Sequence, residues 1–422
     1  MRRVRLLGLV TSAVALVVVM AACLSTPRGS LMVTISGLPA GVAGSVEVTG
    51  PGGYAQSVTS TTTLTVAPGT YSITVAPASN GNAIVATLYD GSASPPSVSV
   101  ADNGSSTTAV AYAMRPGSGA VWVPMKGGGP LAVEGFTSAT LATSGSTGPD
   151  IGITGNNYGE AIAFDGAGNL WVSQFGGMLY HYDASQLASS GTPTPSLSID
   201  ASSYGNLSGL AFDAAGDLWV AVGIGNKLLQ FTPAQLAAGG TPTPPVVISA
   251  TPGGSLLTPI GMAFDPAGNL WVANHGGVSL VKFAASQLAA SGSPTPAVTI
   301  TNGLSNPFGI AFDASGNLWV ADSAAGELRY DAADLGSASA SPAAAITGAA
   351  LPGGPEALAF DASGALWVAE HSTEDLRQFT NPGAWTGTVT PAADVIISSV
   401  GMTDVGMLAF SPSSSALPIQ AP

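Results

Sequence analysis

The chain is poor in charge, in sulfur and in helical periodicity. Only 8% of its 422 residues are Asp, Glu, Lys or Arg, and acids outnumber bases 24 to 10, for a formal net charge of −14. So few cations exclude the basic surface that displaces counterions from nucleic acid. They equally exclude docking of the folded body on anionic lipid head groups. A single cysteine, Cys23, excludes an intramolecular disulfide. The three histidines show no Cys/His spacing of a structural zinc site. There is no Gly-rich phosphate loop and no Ser, His and Asp in hydrolase order. Long amphipathic helical patterns are missing, while 55 Gly and 31 Pro punctuate the chain, which selects an all-β class.

The one continuous apolar run is N-terminal. Arg2, Arg3 and Arg5 precede the stretch Leu6 to Met20, which is too short for a comfortable membrane span. The first 22 residues hold those three bases and no acid, so from Cys23 on there are 7 bases and 24 acids, a net of −17. The run ends in Val19-Met20-Ala21-Ala22-Cys23, which resembles a bacterial lipobox. The resemblance implies a signal peptide over 1–22, a diacylglyceryl group on Cys23 and a short tether over 23–30. The alternative is ordinary cleavage after Ala22 with an incidental thiol, but an exported chain seldom leaves one reactive thiol at its own mature start. Leu24, in place of Asp, implies the outer membrane in a cell that has two. The rest of the chain is predicted to lie outside the cytoplasm.

Residues 31–114 alternate apolar with polar in short runs: Val33 and Ile35, Val46 and Val48, Leu64 and Val66, Tyr71, Ile73 and Val75, Val98 and Val100, Val110 and Tyr112. Gly50-Pro51-Gly52-Gly53, Pro68-Gly69 and Asn80-Gly81-Asn82 separate the runs. This pattern predicts a half-buried antiparallel β-sandwich. The segment Thr63 to Pro77, TLTVAPGTYSITVAP, resembles PEGA and carboxypeptidase-regulatory-like domains, which implies a spacer or stalk.

Beyond residue 119 one phrase recurs: AFDGAGNLWVS from Ala163, AFDAAGDLWVA from Ala211, AFDPAGNLWVA from Ala263, AFDASGNLWVA from Ala311, AFDASGALWVA from Ala359 and a decayed AFSPSSSALPI from Ala409. Its phenylalanines, Phe164, Phe212, Phe264, Phe312, Phe360 and Phe410, are 48, 52, 48, 48 and 50 residues apart. Such a period, built of short β segments, reads as the blade of a propeller over 119–422. The Ala before each Phe fits a crowded inner strand, and the Phe and Trp are the apolar wedges between blades. The Asp-x-x-Gly turn is read as structural, because one acid per turn falls short of the six or more oxygens that calcium needs. A second phrase, SQLASSGTPTP from Ser185, AQLAAGGTPTP from Ala234 and SQLAASGSPTP from Ser286, predicts one helical turn and an extended arm that shields a blade edge. Trp122, 49 residues before Trp171, begins a blade without its inner strand, and Phe410 begins an inner strand without its blade. Joining the ends predicts six blades; a seventh is open if Thr108 to Met114 supplies a first inner strand.

GIAFDASGNLWVAD, Gly309 to Asp322, resembles an NHL repeat and is similar to blades of the gluconolactonase/regucalcin and virginiamycin B (streptogramin) lyase families. Those enzymes imply a divalent cation, or His and Glu, at the mouth of the central tunnel. The corresponding places here are the starts of the inner strands, Glu160, Ser208, Ile260, Phe308, Glu356 and Gly406, and the ends of the second strands, Gln174, Val222, Asn274-His275, Asp322 and Glu370-His371. Phe308 and Ile260 stand where the lactonase pattern often has Asn or Asp. The candidate set is therefore Glu160 and Glu356 for a metal and His275, His371 and Glu370 for catalysis, against the plainer view that a rim is a cheap place for scattered charge. His181 reads as a surface residue beside aromatics, and Trp385 as packing over a blade edge.

Fold class is thus an all-β, six-bladed propeller preceded by a small sandwich. The leading functional expectation is a monomeric cell-envelope lipoprotein, held to the membrane by its lipid, whose propeller binds a protein, glycan or peptide without a cofactor. The alternative is a metal-dependent lactonase- or lyase-like enzyme that needs a divalent cation at the tunnel mouth.

Overall fold

A computed structural model describes residues 28–38, 42–79, 88–114, 120–126, 131–137, 140–155, 159–251, 254–361, 364–398 and 405–410. The expected signal peptide, Cys23 and most of the tether lie outside the described residues.

The alternating segments form two sheets. One carries strands in the order Thr62–Val66, Gly29–Ser36, Ser105–Met114, Leu88–Ser94 and Ala78–Ser79; the other carries Tyr54–Val58, Ser45–Gly50, Gly69–Ala76 and Ser97–Val100. Leu31, Val33, Val46, Val48, Leu64, Val66, Tyr71, Ile73, Val110 and Tyr112 share one core. The pairing departs from the antiparallel expectation at one place, where Gly29–Ser36 runs parallel to Ser105–Met114. These strands are far apart in sequence, so no hairpin imposes opposite directions on them. Thr108 to Met114, the conditional source of a seventh blade, is part of this sheet, with Val110 fully buried in its core.

The repeats form six radial sheets. Strands a to d, from axis to rim, are Gly159–Phe164, Leu170–Gln174, Met178–Tyr182 and Leu197–Asp200 in blade 1, and Leu207–Phe212, Leu218–Val222, Lys227–Phe231 and Val246–Ser249 in blade 2. Blade 3 has Pro259–Phe264, Leu270–Asn274, Ser279–Phe283 and Val298–Ile300; blade 4 has Pro307–Phe312, Leu318–Asp322, Gly326–Tyr330 and Ala344–Ile346. Blade 5 has Pro355–Phe360, Leu366–Glu370, Asp375–Phe379 and Val395–Ser398. Blade 6 is composite: strand a, Ala409–Phe410, pairs with strand b, Val121–Pro124, followed by Leu131–Phe136 and Ile151–Thr154. The a strands contact one another in sequence from blade 1 to blade 6 and back to blade 1, so the circuit is closed.

Closure brings backbones together. A Cβ on Gly209 would overlap the carbonyl oxygen of Ile260 on the next a strand, and one on Gly261 would overlap that of Phe308. The a strands of blades 1 to 5 are bulged beside this position, as between Leu207 and Leu210. Farther out, each core is shared by two blades. The ring of Trp122 packs edge-on against Phe164, Trp219 against Phe264, Trp271 against Phe312 and Trp319 against Phe360, with centroids 6.0–6.5 Å apart. Burying such a ring contributes roughly 1.5–3 kcal/mol, and the edge-on geometry about 0.5–1.5 kcal/mol more.

The Asp-x-x-Gly turn is structural, with a second duty. Asp165 Oδ1 accepts the backbone N–H groups of Ala167 and Asn169, both at 2.9 Å, and Gly168 has φ +82°. The other carboxylate oxygen reaches the wedge: Asp213, Asp265, Asp313 and Asp361 accept from Nε1 of Trp219, Trp271, Trp319 and Trp367 at 2.9–3.2 Å. The Gln-Leu phrase also does more than shield. Leu187, Leu236 and Leu288 are buried, while Gln186, Gln235 and Gln287 donate to the carbonyls of Thr194, Thr243 and Thr295 and pin the extended arm. Gly191, Gly240 and Gly292 then bridge in parallel to the d strand of the preceding blade, which covers its open edge.

Gly209→Ala is expected to lower stability by about 1–3 kcal/mol through overpacking at the axis. Gly383→Ala, whose Cβ would meet nothing within 4 Å, is expected to be neutral. Denaturant unfolding of both variants checks the pair.

Candidate functional site

The a strands begin, and the b strands end, on one face. The second residues of the a strands form a ring there: Glu160, Ser208, Ile260, Phe308 and Glu356. Glu160, Ser208, Ile260 and Phe308 line a cavity of about 120 Å³ together with Lys126 and Met407. Outside them stand Phe175 and Ile224, which are 51% and 66% exposed. One wall of the mouth is therefore apolar. Ser208 is not free to act as a nucleophile, because its hydroxyl donates to the Pro259 carbonyl at 2.8 Å.

The opposite wall is polar. Lys126 Nζ lies 2.6 Å from Glu356 Oε2, and His371 Nδ1 lies 3.5 Å from Glu356 Oε1. Glu356 is nearly buried, whereas the His371 side chain is 48% exposed. The sequence-predicted residues do not converge as one cluster. Glu356 and His371 come together, whereas Glu160 lines the cavity beside Lys126 without joining them. His275 is turned toward blade 4, with Nδ1 3.2 Å from the Pro307 carbonyl and its ring on Phe308 at 4.5 Å. Glu370 is removed from the mouth altogether. It is fully buried, paired with Arg377 Nε at 2.7 Å and accepting from Thr373 Oγ1 at 2.8 Å. Its place at the end of a b strand pointed to the rim, but Thr373 of the turn that follows and Arg377 of strand c hold it inward. Asp322 behaves likewise: it accepts the backbone N–H groups of Ser305, Asn306, Ala324 and Ala325.

The residues present do not fit a divalent metal at this mouth. Among the described residues no group of three or more His, Cys, Asp or Glu is arranged to hold one. Both oxygens of Glu356 already face cationic or ring nitrogen partners, and the Lys126 ammonium supplies positive charge where an ion would sit. Sequence reasoning missed Lys126, Phe175 and Ile224. The scarcity of lysine, three in the chain, was the one available signal for Lys126.

His181 corrects a further expectation. It is buried, not on the surface, because it lies on strand c opposite Trp171 and its ring packs on that indole at 4.7 Å. Trp385 does cover an edge, packing edge-on against Phe379 at 6.1 Å.

The fold and this geometry define a β-propeller with a closed inner ring and a half-apolar mouth. No family model and no curated protein matches the chain. Among solved structures, virginiamycin B lyase from Staphylococcus aureus is similar over 53% of this chain and 67% of its own, at 15% identity and a TM-score of 0.35. A protein of unknown function from Bacteroides caccae is similar over 66% of this chain and 98% of its own, at 13% identity and 0.44. A putative gluconolactonase is similar over 53% and 74%, at 17% identity and 0.39. These include the two kinds of propeller enzyme that the repeat resembles.

Behind Glu370 lies an acid with no counter-charge of its own. Glu327, on strand c of blade 4, is fully buried with neither carboxylate oxygen hydrogen-bonded. Burial, and then the negative charges of Asp322 and Glu370, push its carboxyl well above the ordinary value of 4.5. Below that value both folded and unfolded chains hold the proton. As pH rises the unfolded chain loses it first, so Glu327's contribution to stability falls until pH passes its folded value. Glu327→Gln is expected to raise the melting temperature at pH 7 and to change it little at pH 4, as read by calorimetry across that range.

Proposed function

We propose that this protein is a lipid-anchored, extracytoplasmic binding module whose tunnel mouth takes a peptide segment bearing a large apolar side chain. The observation that carries the reading is the placement of exposed apolar residues. Of the five exposed large hydrophobics among the described residues, Phe175, Ile224, Leu257 and Val278 stand on the mouth face of three consecutive blades. Phe175 and Ile224 flank one cavity there, and exposed apolar side chains beside a polar rim are a usual mark of a recognition surface. Lys126, Glu160 and Glu356 set the polar side, where they orient a partner's backbone. The sandwich at residues 31–114 serves as the stalk, and Cys23 carries the lipid.

A second reading, acid–base chemistry at the mouth, rests on the Glu356–His371 contact, in which a nearly buried carboxylate orients an exposed imidazole. Turnover of gluconolactone or a streptogramin B that is lost in both His371→Ala and Glu356→Gln would favour it over binding.

Selection from a random peptide library displayed on phage is expected to yield ligands with an aromatic or large aliphatic anchor. Phe175→Ser with Ile224→Ser should weaken them about tenfold or more, the loss of a central anchor. Peptides that bind the double variant undiminished would overturn the mouth as the site. For the anchor, mass spectrometry of membrane-extracted protein is expected to find a diacylglyceryl modification on Cys23, and Cys23→Ser is expected to release the chain from the membrane.

A further inference from the structure

Each blade ends in a d strand with an outer edge, and in five of them a loop of the following blade closes it. Three of these covers share one chemistry. Ser190-Gly191, Ser291-Gly292 and Ser144-Gly145 lie in parallel against the d strands of blades 6, 2 and 5. The serine hydroxyl accepts a strand N–H, that of Gly152 at 2.9 Å, Val247 at 3.0 Å and Ile396 at 3.0 Å. The glycine sits opposite a buried isoleucine, Ile153, Ile248 or Ile397. In blade 2 its N–H donates to the Val247 carbonyl at 3.0 Å and its carbonyl accepts from the Ser249 N–H at 2.8 Å; blade 6 makes the same two bonds.

Blade 3 is the exception. Its sheet ends at Val298–Ile300, and among the described residues no segment pairs with that edge. Thr299 and Thr301 stand where blade 2 has Val247 and Ser249, because Ile300 and Ile248 pair with the equivalent Leu280 and Leu228. Exposure agrees: Thr299 and Thr301 are exposed, whereas Val247, Ser249, Ile396 and Ser398 are half-buried. The cause lies in the loop of blade 4. Asp334 replaces the glutamine that pins the arm, and Ser339-Ala340-Ser341-Pro342 replaces Ser291-Gly292-Ser293-Pro294. Ala340 is buried in the core that blades 3 and 4 share. The Ser339 carbonyl and Ser341 hydroxyl accept from Asn302 Nδ2, beyond the end of the strand.

We propose that this open edge is a docking site for an extended, uncharged segment of a partner polypeptide in which serine is followed by glycine. The segment lies parallel to Val298–Ile300 and completes the blade by strand addition. Its serine hydroxyl accepts the Thr299 N–H, its glycine N–H donates to the Thr299 carbonyl, and the glycine carbonyl accepts the Thr301 N–H. The chain's own covers define this occupant. They are uncharged, and so is the edge from Ala297 to Gly303. The site lies at the outer rim, apart from the tunnel mouth.

Hydrogen exchange on the full chain, read by mass spectrometry, tests the proposal. In the free chain the amides of Thr299 and Thr301 are expected to exchange fast and those of Val247 and Ser249 slowly. The probe is the acetylated and amidated peptide of Ala290 to Pro296, ASGSPTP. It is expected to protect 297–303 saturably, to leave 246–250 unchanged and to bind alike at low and high salt. Ser291→Ala in the peptide should weaken it about two- to tenfold, the loss of one hydrogen bond. The peptide N-methylated at Gly292 should give no protection. In the protein, Thr299→Pro removes the donor at an edge that tolerates proline and should abolish binding, while Thr299→Val keeps the backbone groups and should bind undiminished. Slow exchange of Thr299 and Thr301 in the free monomer, no protection up to the peptide's solubility limit, or equal protection by the N-methylated peptide would each overturn the proposal. So would protection that is lost on dilution together with a dimer in sedimentation, which would make a second copy the occupant. Should Thr299→Pro unfold the chain, the two modified peptides decide it.

Discussion

The propeller depends on the contact between the tryptophan of one blade and the phenylalanine of the next. No blade has a core of its own: Trp171 and Ile199 of blade 1 bury with Phe212 and Val220 of blade 2, and the other blades repeat the arrangement. A sheet with two apolar faces is stable only when both neighbours are present. The ring must therefore close, and the composite blade follows, with Ala409–Phe410 completing the sheet that Val121–Pro124 begins. The turn aspartate ties this contact to the local backbone. One oxygen shapes the turn and the other fixes the indole, so the position of the wedge is set by its own hairpin.

A chain with so little charge must manage its strand edges by other means. Five blades show one answer, a loop of the following blade laid in parallel against the exposed d strand, either as a glycine bridge or as the short strands Gly387–Val389 and Gly145–Ser146. Part of the little charge there is lies buried between the blades. Arg377 joins Glu370 and Asp375, Asp322 gathers four backbone N–H groups, and Glu327 stays buried beside them. This leaves the mouth free to be apolar on one side, with the Lys126–Glu356 pair facing it.

Departures from the repeat carry the functional information. Where four blades hold a Trp–Asp bond, blade 1 packs His181 on Trp171 instead. Where the a strands could repeat one residue, they offer Glu160, Ser208, Ile260, Phe308 and Glu356 in turn. A periodic scaffold makes such differences visible, because each position has equivalents that define its structural role.

Period, wedge residues, turn chemistry and ring closure were all legible from sequence, since each is a local pattern repeated at a fixed interval. The candidate acids and histidines could be placed on the correct face by the same register. Their partners could not. Glu370 and His371 are adjacent in sequence, yet one is buried on Arg377 and the other is exposed beside Glu356. Lys126 meets Glu356 across 230 residues, a contact no local pattern encodes. The sequence by itself determined the architecture, because blade identity is written in short-range alternation and turns. Only the tertiary structure decided which polar groups meet, because closing the ring joins side chains from opposite ends of the chain and sets their burial.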